Sequence, residues 1–220
     1  AVMVFRREGL LLPAVESVCG PVREIGIRRL ASVSTLLAVR RLAVRLRREK
    51  FNVLHTWDAD AAFFGRFAAA WARVPLVTSR RDLGQIYAPF KVRGLRAADA
   101  RASAVVANAQ AIVEHFASWG EDRTKFQVIP NILDVAEFDR LHDEPFPREN
   151  ELPSGERIVM VSRLDPEKDI PMFIRAATLV SKLHPNASFI IAGDGVERSN
   201  LEAMARHCGM AGRIRFLGDT

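Results

Sequence analysis

The chain has 220 residues, of which 49% are hydrophobic and 26% charged, so it can bury one large or two small cores and is not expected to be disordered. No apolar run approaches the about 20 residues that span a bilayer. Its two cysteines, Cys19 and Cys208, stand far apart without a clustered histidine, which argues against a disulfide framework and a zinc site. A reducing, cytoplasmic setting is expected.

Positive charge is concentrated near the N-terminus. Residues 1–50 carry 11 Lys and Arg against 4 Asp and Glu, a net +7 within a total of +6. Aromatic residues do not interleave with these cations, so nucleic-acid binding is not predicted although the isoelectric point is about 10.0. Because the chain starts at Ala1 rather than Met and stops at Thr220 directly after an apolar strand pattern, we expect a fragment of a longer protein.

Short apolar runs alternate with stretches of helical period, which predicts an α/β fold with a mostly parallel sheet covered by helices. Strands are predicted at residues 2–5, 52–55, 76–79, 104–107, 126–129, 158–162, 188–192 and 214–217. Helices are predicted at residues 36–50, 59–73, 91–102, 109–119, 170–183 and 197–207. The strand of residues 158–162 is expected to be buried.

The helix of residues 36–50 is predicted to be amphipathic and basic. At about 100° per residue, one arc collects the apolar residues Leu36, Val39, Leu42, Ala43 and Leu46. Arg41, Arg45 and Arg48 lie on the opposite arc. Two interpretations remain open, a solvated charged face or a contact with an anionic membrane, and this helix offers no Trp or Phe for insertion.

Prolines and acidic residues interrupt the periodicity between residues 139 and 155. We therefore predict an N-terminal domain of residues 1–140, a linker of residues 141–155 and a C-terminal domain of residues 156–220. The C-terminal domain offers three strands in a βαβαβ order, which is half of a Rossmann-like sheet with an exposed edge. This second domain is expected to be incomplete.

Two cations follow the strand of residues 158–162. The segment continues Arg163-Leu164-Asp165-Pro166-Glu167-Lys168, and a helix begins directly after it. Ligands of open α/β sheets bind at the carboxyl ends of the strands, where a helix N-terminus adds partial positive charge. Arg163 and Lys168 therefore predict a diphosphate site, the alternative being that both are solvated loop charges.

The strand of residues 188–192 runs into Gly193-Asp194-Gly195 and then into a helix. Glycine permits close approach of the backbone to a ligand, but a tight turn without a ligand explains the same two glycines. In order and spacing, the two turns resemble the donor domain of retaining GT-B glycosyltransferases of family 4. The shared features are Ser-Arg-Leu after a strand, a Lys five residues on, a helix ending before a proline, Gly-x-Gly after a strand, and a last strand ending in Phe-Leu-Gly.

The N-terminal part resembles the same family more loosely. Asn108 follows a strand, and Asn131 lies in an Ile-Pro-Asn segment, while Ala109 and Ile132 replace the Ser and Gly usual in the family. The resemblance implies two Rossmann-like domains of GT-B type, the first lacking its first strand. It also implies that Asn108 and Asn131 line the interdomain cleft, and that the donor-side loops contain Gly193, Gly195 and Gly218.

The resemblance also implies two catalytic candidates. His55 matches a histidine at a strand end that faces the cleft, and a second histidine of the family is replaced by Trp57. Arg81, in Ser-Arg-Arg-Asp, matches a position near the transferred sugar and can bind a hydroxyl or an anion. The alternatives are a packed imidazole at His55 and an ion pair of Arg80 or Arg81 with Asp82.

The implied activity is transfer of a hexose from a UDP- or GDP-type sugar to a sugar or lipid-linked hydroxyl acceptor with retention of configuration. No cofactor or metal is expected, because Asp58-Ala59-Asp60 more simply starts a helix. Lipid-linked acceptors would suit contact of residues 36–50 with the inner face of a membrane. The family's two glutamates eight positions apart are not found, so we expect negligible turnover from this chain. A non-catalytic nucleotide-binding or scaffold module is the alternative.

Overall fold

A computed structural model describes residues 1–9, 11–27, 32–85, 87–146 and 152–219. The chain divides into two compact units, Ala1–Leu133 and Asp134–Thr220. The predicted linker of residues 141–155 falls within the second unit, and residues 147–151 of it lie outside the described residues. In both units every named strand pairs in parallel with its neighbours, which confirms the predicted α/β fold.

The first unit contains two sheets in the described residues. The smaller sheet pairs β1 (Met3–Val4) with β2 (Arg23–Glu24). The larger sheet has the strand order β3 (Leu54–Thr56), β4 (Leu76–Arg80), β5 (Ala104–Ala107) and β6 (Phe126–Val128). Because all four strands run the same way, their carboxyl ends meet at one edge of the sheet.

A side-chain cap or a proline marks where four of the five helices of the first unit's described residues begin. Its helices are α1 (Leu12–Cys19), α2 (Val33–Arg48), α3 (Ala59–Ala72), α4 (Pro89–Arg101) and α5 (Gln110–Ser118). Ser32 caps α2 through a bond from the Thr35 amide, and Asp58 caps α3 through a 2.8 Å bond from the Ala61 amide. The expected N-cap role of Asp58 is thereby confirmed.

Helix α3 packs between α2 and α4. Phe64, Ala68 and Ala72 of α3 share a core cluster with α2, and Ala59 and Ala62 meet α4. On α2 the predicted apolar arc is buried except at Leu36, which is 58% exposed. The prediction was therefore wrong at Leu36, because near the start of the helix Thr35 and Ala38 are the residues that face the core.

The second unit holds a three-stranded sheet. Its elements are α6 (Val135–His142), β7 (Arg157–Val161), α7 (Ile170–Leu183), β8 (Ser188–Ala192), α8 (Arg198–His207) and β9 (Ile214–Gly218). The elements β7, α7, β8, α8 and β9 follow one another in the predicted βαβαβ order, and the strands lie side by side in the order β7-β8-β9. The core lies between the sheet and the two helices α7 and α8, around the buried Ile174, Phe189 and Leu201.

Strand β7 is more exposed to solvent than predicted. Among the described strands it pairs only with β8, and Val161 is 79% exposed, whereas the central strand β8 is buried along most of its length. A continuous apolar run indicates a strand buried on both faces, but β7 lies at the edge of the described sheet. The strand was therefore predicted at the right residues, but the prediction that it is buried was wrong.

Among the described α-helices and strands, α1, β2 and α6 were not predicted. Helix α6 lies partly in the stretch from Asp139 onward that sequence periodicity marks as irregular, and Asp134 caps it by accepting from the Glu137 amide. None of its residues is buried, so its sequence carries little core signal. Among the described residues every helix is too short or too polar to cross a bilayer.

Candidate functional site

Main-chain hydrogen bonds join the loops at the carboxyl edge of the second sheet. The Leu164 amide after β7 donates to the Asp194 carbonyl at 2.9 Å, and the Glu197 amide donates back to the Leu164 carbonyl at 3.0 Å. The Gly193 amide after β8 donates to the Gly218 carbonyl of β9 at 2.8 Å. The buried Leu164 side chain anchors this arrangement in the core. The three loops therefore form one connected surface.

The two glycines of the Gly-x-Gly turn are needed for this contact between loops. A Cβ on Gly195 would lie 2.6 Å from the Leu164 carbonyl oxygen, and Gly193 has a φ of +129° that disfavours other residues. Gly218 also has a positive φ, of +75°. Close packing of the chain on itself thus accounts for Gly193 and Gly195, as the ligand-free interpretation of this turn expects. Their predicted role in donor-side loops stays a prediction.

Arg163 and Lys168 lie in the turn that connects β7 to α7, at the carboxyl edge where the sequence predicts them. The Arg163 side chain is 69% exposed and pairs with Asp165 at 2.8 Å and with Glu167 at 2.9 Å. Lys168 is exposed at the end of a single 3-10 turn and makes no ion pair with any described residue. Both cations are therefore accessible, and Arg163 holds two carboxylates that an anion would have to displace.

Arg198 is a residue of this edge that the sequence analysis missed. Its guanidinium donates to Asp194 at 2.9 Å, to Glu202 at 3.0 Å and to the Phe216 carbonyl at 3.4 Å. These bonds fasten the loop after β8 to β9 and raise the pKa of Arg198, with Glu202 as the largest cause. A lone arginine at a helix start carries no sequence signal for such a link.

In the first unit the two predicted catalytic residues, His55 and Arg81, both lie next to Trp57. The His55 ring lies 5.2 Å from the Trp57 ring, and Arg81 Cζ lies 5.7 Å from the centre of the same indole. His55 Nε2 also lies 2.8 Å from Ser79 Oγ of the adjacent strand. Partial burial lowers the pKa of His55, so the imidazole is neutral near pH 7. His55, Trp57, Ser79 and Arg81 are called the β3–β4 cluster below.

Of the two cluster residues that were not predicted as site residues, Trp57 could have been suspected from the sequence. Trp57 follows His55 by two positions at the end of a strand, and residues two apart on a strand point to the same face. Ser79 becomes a partner of His55 only through the parallel register in which His55 lies opposite Val77. That register is not readable from the order of residues alone.

The alternative ion pair with Asp82 is not observed in the described part of the chain. Asp82 accepts from the Gly84 amide at 2.7 Å and from the Tyr87 hydroxyl at 3.0 Å. Burial and the neighbouring Asp82 raise the pKa of Tyr87 to about 12, which keeps this hydroxyl a donor. Arg80 instead turns inward and pairs with Asp99 of α4.

Asp99 anchors strand β4 from behind. Its carboxylate accepts from Thr78 Oγ1 at 2.6 Å and pairs with Arg80, and all three residues are buried. Thr78 and Arg80 alternate along the strand with Ser79 and Arg81 of the β3–β4 cluster. The Asp99 carboxylate therefore holds the two β4 side chains that point away from the β3–β4 cluster.

Asn108 and Asn131 follow β5 and β6 at the same sheet edge. The side-chain Nδ2 of Asn108 lies 3.4 Å from Asn131 Oδ1. The main-chain amide of Asn108 donates to the Arg80 carbonyl at 3.3 Å. The two asparagines thus lie together, next to the end of β4. Their predicted place in an interdomain cleft stays a prediction. The described residues contain no group of three or more His, Cys, Asp or Glu side chains able to hold a metal ion.

Proteins of known structure share this architecture. The chain aligns over its whole length with Anabaena Alr3699/HepE, solved in complex with UDP and glucose, at a TM-score of 0.81 and 22% identity, and covers 61% of that chain. It also aligns over 90% of its length with sucrose-phosphate synthase of Thermosynechococcus elongatus, at a TM-score of 0.73 and 15% identity, covering 55% of that chain. At these identities the likeness shows the fold, which is that of two Rossmann-like units of GT-B type.

A curated relative points the same way. The chain is 24% identical over 191 residues to the UDP-Gal:alpha-D-GlcNAc-diphosphoundecaprenol alpha-1,3-galactosyltransferase of Escherichia coli, which matches 80% of this chain. The chain spans 49% of the length of that relative. Residues 1–137 match the family model Glycosyltransferase Family 4, and residues 143–220 match the model Glycosyl transferases group 1. The protein therefore belongs to the family 4 glycosyltransferases.

Proposed function

We propose that this protein takes part in the transfer of a hexose from a UDP- or GDP-type sugar to a hydroxyl acceptor, with retention at the anomeric carbon. The observation that carries the proposal is the connected loop surface at the carboxyl edge of the second sheet, which presents Arg163 and Lys168 beside the start of α7. Family membership supports the same reaction class. The UDP in the Alr3699/HepE complex and the UDP-Gal donor of the Escherichia coli relative favour a uridine nucleotide.

The proposed role of the two cations is to stabilise the leaving group. Negative charge builds on the β-phosphate as the sugar departs, so contacts with a guanidinium and an ammonium gain strength toward the transition state. Arg163 would exchange Asp165 and Glu167 for phosphoryl oxygens. Lys168 would approach the diphosphate without breaking an ion pair within the described chain. Neither role calls for a metal ion or a cofactor.

The β3–β4 cluster is the proposed acceptor side. His55 is neutral near pH 7 and hydrogen-bonded to Ser79, so it can accept or donate a bond to an acceptor hydroxyl. Arg81 is exposed and positions a donor group for a sugar hydroxyl or an anionic substituent. Trp57 supplies an aromatic surface between these two polar groups, as ligand sites commonly do.

A lipid-linked acceptor is the proposed acceptor class. The Escherichia coli relative is named for a diphosphoundecaprenol acceptor, and helix α2 of this protein exposes a row of arginines. Such a helix suits a peripheral contact with the anionic cytoplasmic face of a membrane. In this proposal the protein works in the cytoplasm, at the inner leaflet.

Calorimetric titration with UDP and with GDP tests the diphosphate site. Arg163→Ala and Lys168→Ala should each weaken binding about tenfold, as expected for loss of one charge-assisted phosphate contact. Glu167→Gln should tighten binding, since Arg163 then loses a competing carboxylate. Arg175→Ala, which removes an exposed cation from α7 itself, is the matched control and should leave affinity unchanged.

Unchanged affinity in both the Arg163 and Lys168 variants would contradict the proposed site. Transfer is tested separately, with a UDP-sugar and a hydroxyl acceptor. Nucleoside diphosphate binding without sugar transfer or sugar-nucleotide hydrolysis would instead support a non-catalytic nucleotide-binding or scaffold module. Inversion at the anomeric carbon of the product would contradict the retaining mechanism alone.

A further inference from the structure

The outward face of α2 combines arginine with exposed aliphatic side chains. Leu37, Arg40, Arg41 and Val44 line an open groove of about 540 Å³ together with Arg45 and Arg48. Val44 is 57% exposed, so the aliphatic groups are not covered by the arginine stems. A helix whose outer face is merely solvated does not need aliphatic residues between its cations. This face therefore differs from an ordinary charged helix surface.

The charge of this face is largely uncompensated. Helix α2 contains five arginines and no Asp or Glu, and α3 contains a single carboxylate, Asp60. Asp60 pairs with Lys91, while the single carboxylate of Glu49 at the end of α2 is shared by Arg45 at 2.9 Å, Arg48 at 3.6 Å and Arg23 at 3.1 Å. Arg40 and Arg41 make no ion pair with any residue that the structure describes. Both are thus available to an external anion.

Helix α3 adds the aromatic residues that α2 lacks. It packs on α2 through Phe64, Ala68 and Ala72, and Arg47 Nε of α2 donates to the Ala72 carbonyl at 3.2 Å. Phe67 comes directly before Ala68 and Trp71 directly before Ala72 in the chain. Their side chains are 40% and 43% exposed. The aromatic rings therefore reach solvent on the helix immediately beside the basic face of α2.

A further arginine, Arg66, lies over the Phe67 ring. Arg66 Cζ lies 4.8 Å from the centre of the Phe63 ring and 4.4 Å from that of Phe67. Burial lowers the pKa of Arg66, with Arg101 as a smaller cause, yet guanidinium groups stay charged in proteins. Aromatic, aliphatic and guanidinium groups in one layer of two helices are the composition of segments that lie in a membrane interface.

We propose that the outer faces of α2 and α3 together form a docking surface for an anionic lipid bilayer, with Arg40 and Arg41 on the lipid phosphates and Trp71 and Phe67 among the upper acyl chains. The proposal extends the membrane contact of the proposed function from α2 to α3, and it does not depend on sugar transfer. The aliphatic side chains of Leu37 and Val44 between the arginines gain little from a phosphate backbone, which favours a bilayer over a nucleic acid. Each cation near an anionic surface strengthens binding about fivefold.

Co-sedimentation with vesicles tests the surface. The protein should bind vesicles of phosphatidylcholine and phosphatidylglycerol in equal parts and not vesicles of phosphatidylcholine alone. The double variant Arg40→Glu/Arg41→Glu should lose at least about tenfold in affinity, since two attractive charges become repulsive. The matched control Arg206→Glu/Arg215→Glu changes the charge equally on exposed residues of the second unit and should bind as the unaltered protein does.

Insertion is tested through Trp71. In a Trp57→Phe/Trp119→Phe background Trp71 is the remaining tryptophan, and lipids brominated on the acyl chains should quench its fluorescence. Phe67→Ala should weaken vesicle binding severalfold while circular dichroism shows an unchanged fold. Equal loss of binding in the two charge variants, absence of quenching, or equally tight binding to single-stranded RNA would each overturn the proposal. UDP binding should be unaffected in the Arg40→Glu/Arg41→Glu and Phe67→Ala variants, which separates this surface from the proposed diphosphate site.

Discussion

A Cβ atom at position 193 would lie 2.0 Å from the carbonyl oxygen of Ser162, a distance that no side chain tolerates. Since Gly193 also has a φ of +129°, Gly193→Ala adds backbone strain to this clash. We expect the variant to lose at least about 2 kcal/mol of unfolding free energy. Urea denaturation measures this loss.

The control for this prediction is Gly212→Ala. A Cβ at that position meets nothing within 4 Å. The control should change the unfolding free energy by less than about 0.5 kcal/mol. A Gly193→Ala variant as stable as Gly212→Ala would show that the loops after β7 and β8 do not pack as described.

Arg213 closes the C-terminal end of α7. Its guanidinium donates to the carbonyls of Ser181 at 3.0 Å, His184 at 3.0 Å and Ala187 at 2.9 Å, and also to Pro185. These carbonyls lack helical partners, and a cation there also suits the helix dipole. Arg213→Ala should cost about 2–3 kcal/mol of stability.

Thermal or urea denaturation of three variants checks the role of Arg213. Arg213→Lys should recover only part of the loss, because an ammonium cannot reach four carbonyls from one plane. Arg215→Ala, at an exposed position two residues on, should be nearly neutral. Full rescue by lysine would mean that charge alone, not the planar fork, stabilises this helix end.

Two carboxylates of the first unit should differ sharply in their effect on stability. Asp99 is buried against Arg80, whereas Asp60 pairs with Lys91 on the surface. Asp99→Ala leaves a buried guanidinium without its partner and should cost about 3–5 kcal/mol. Asp60→Ala should cost at most about 1 kcal/mol. Similar losses in the two variants would contradict the buried anchor behind β4.

The stability of the first unit should depend on pH through Glu121. Burial, and next the charge of Asp99, raise the pKa of Glu121 from 4.5 to about 7 in the folded chain. Between these two values the folded state holds a proton that the unfolded state has lost, so stability falls as pH rises, by up to about 1.4 kcal/mol per pH unit. Glu121→Gln should flatten this slope in urea denaturation between pH 4.5 and pH 7. A slope unchanged by the substitution would show that Glu121 is ionised throughout.

The strands and long helices could be predicted from the sequence because their apolar periodicity reflects burial. Strands β5 and β8 and helix α7 were predicted with the bounds that the structure has. The helix α6 and the two-residue strand β2 bury nothing, so periodicity could not reveal them.

The candidate site could be predicted only in its separate parts. The end of a predicted strand indicated Arg163 and Lys168, and the family resemblance indicated His55 and Arg81 at the ends of two other strands. The partners of these residues depend on strand register and helix packing. The hydrogen bond of His55 with Ser79 requires the alignment of β3 with β4, and the inward turn of Arg80 toward Asp99 requires α4 behind the sheet.

The loops at the carboxyl edge of the second sheet are joined by amide and carbonyl groups rather than by the side chains of Arg163 and Lys168. Exchanging those side chains should therefore alter what the edge attracts while leaving its shape intact. Single substitutions at Arg163 or Lys168 can therefore change which ligand this edge binds with little effect on folding, provided that Gly193 and Gly195 are kept. The evolvability of this edge rests on its backbone.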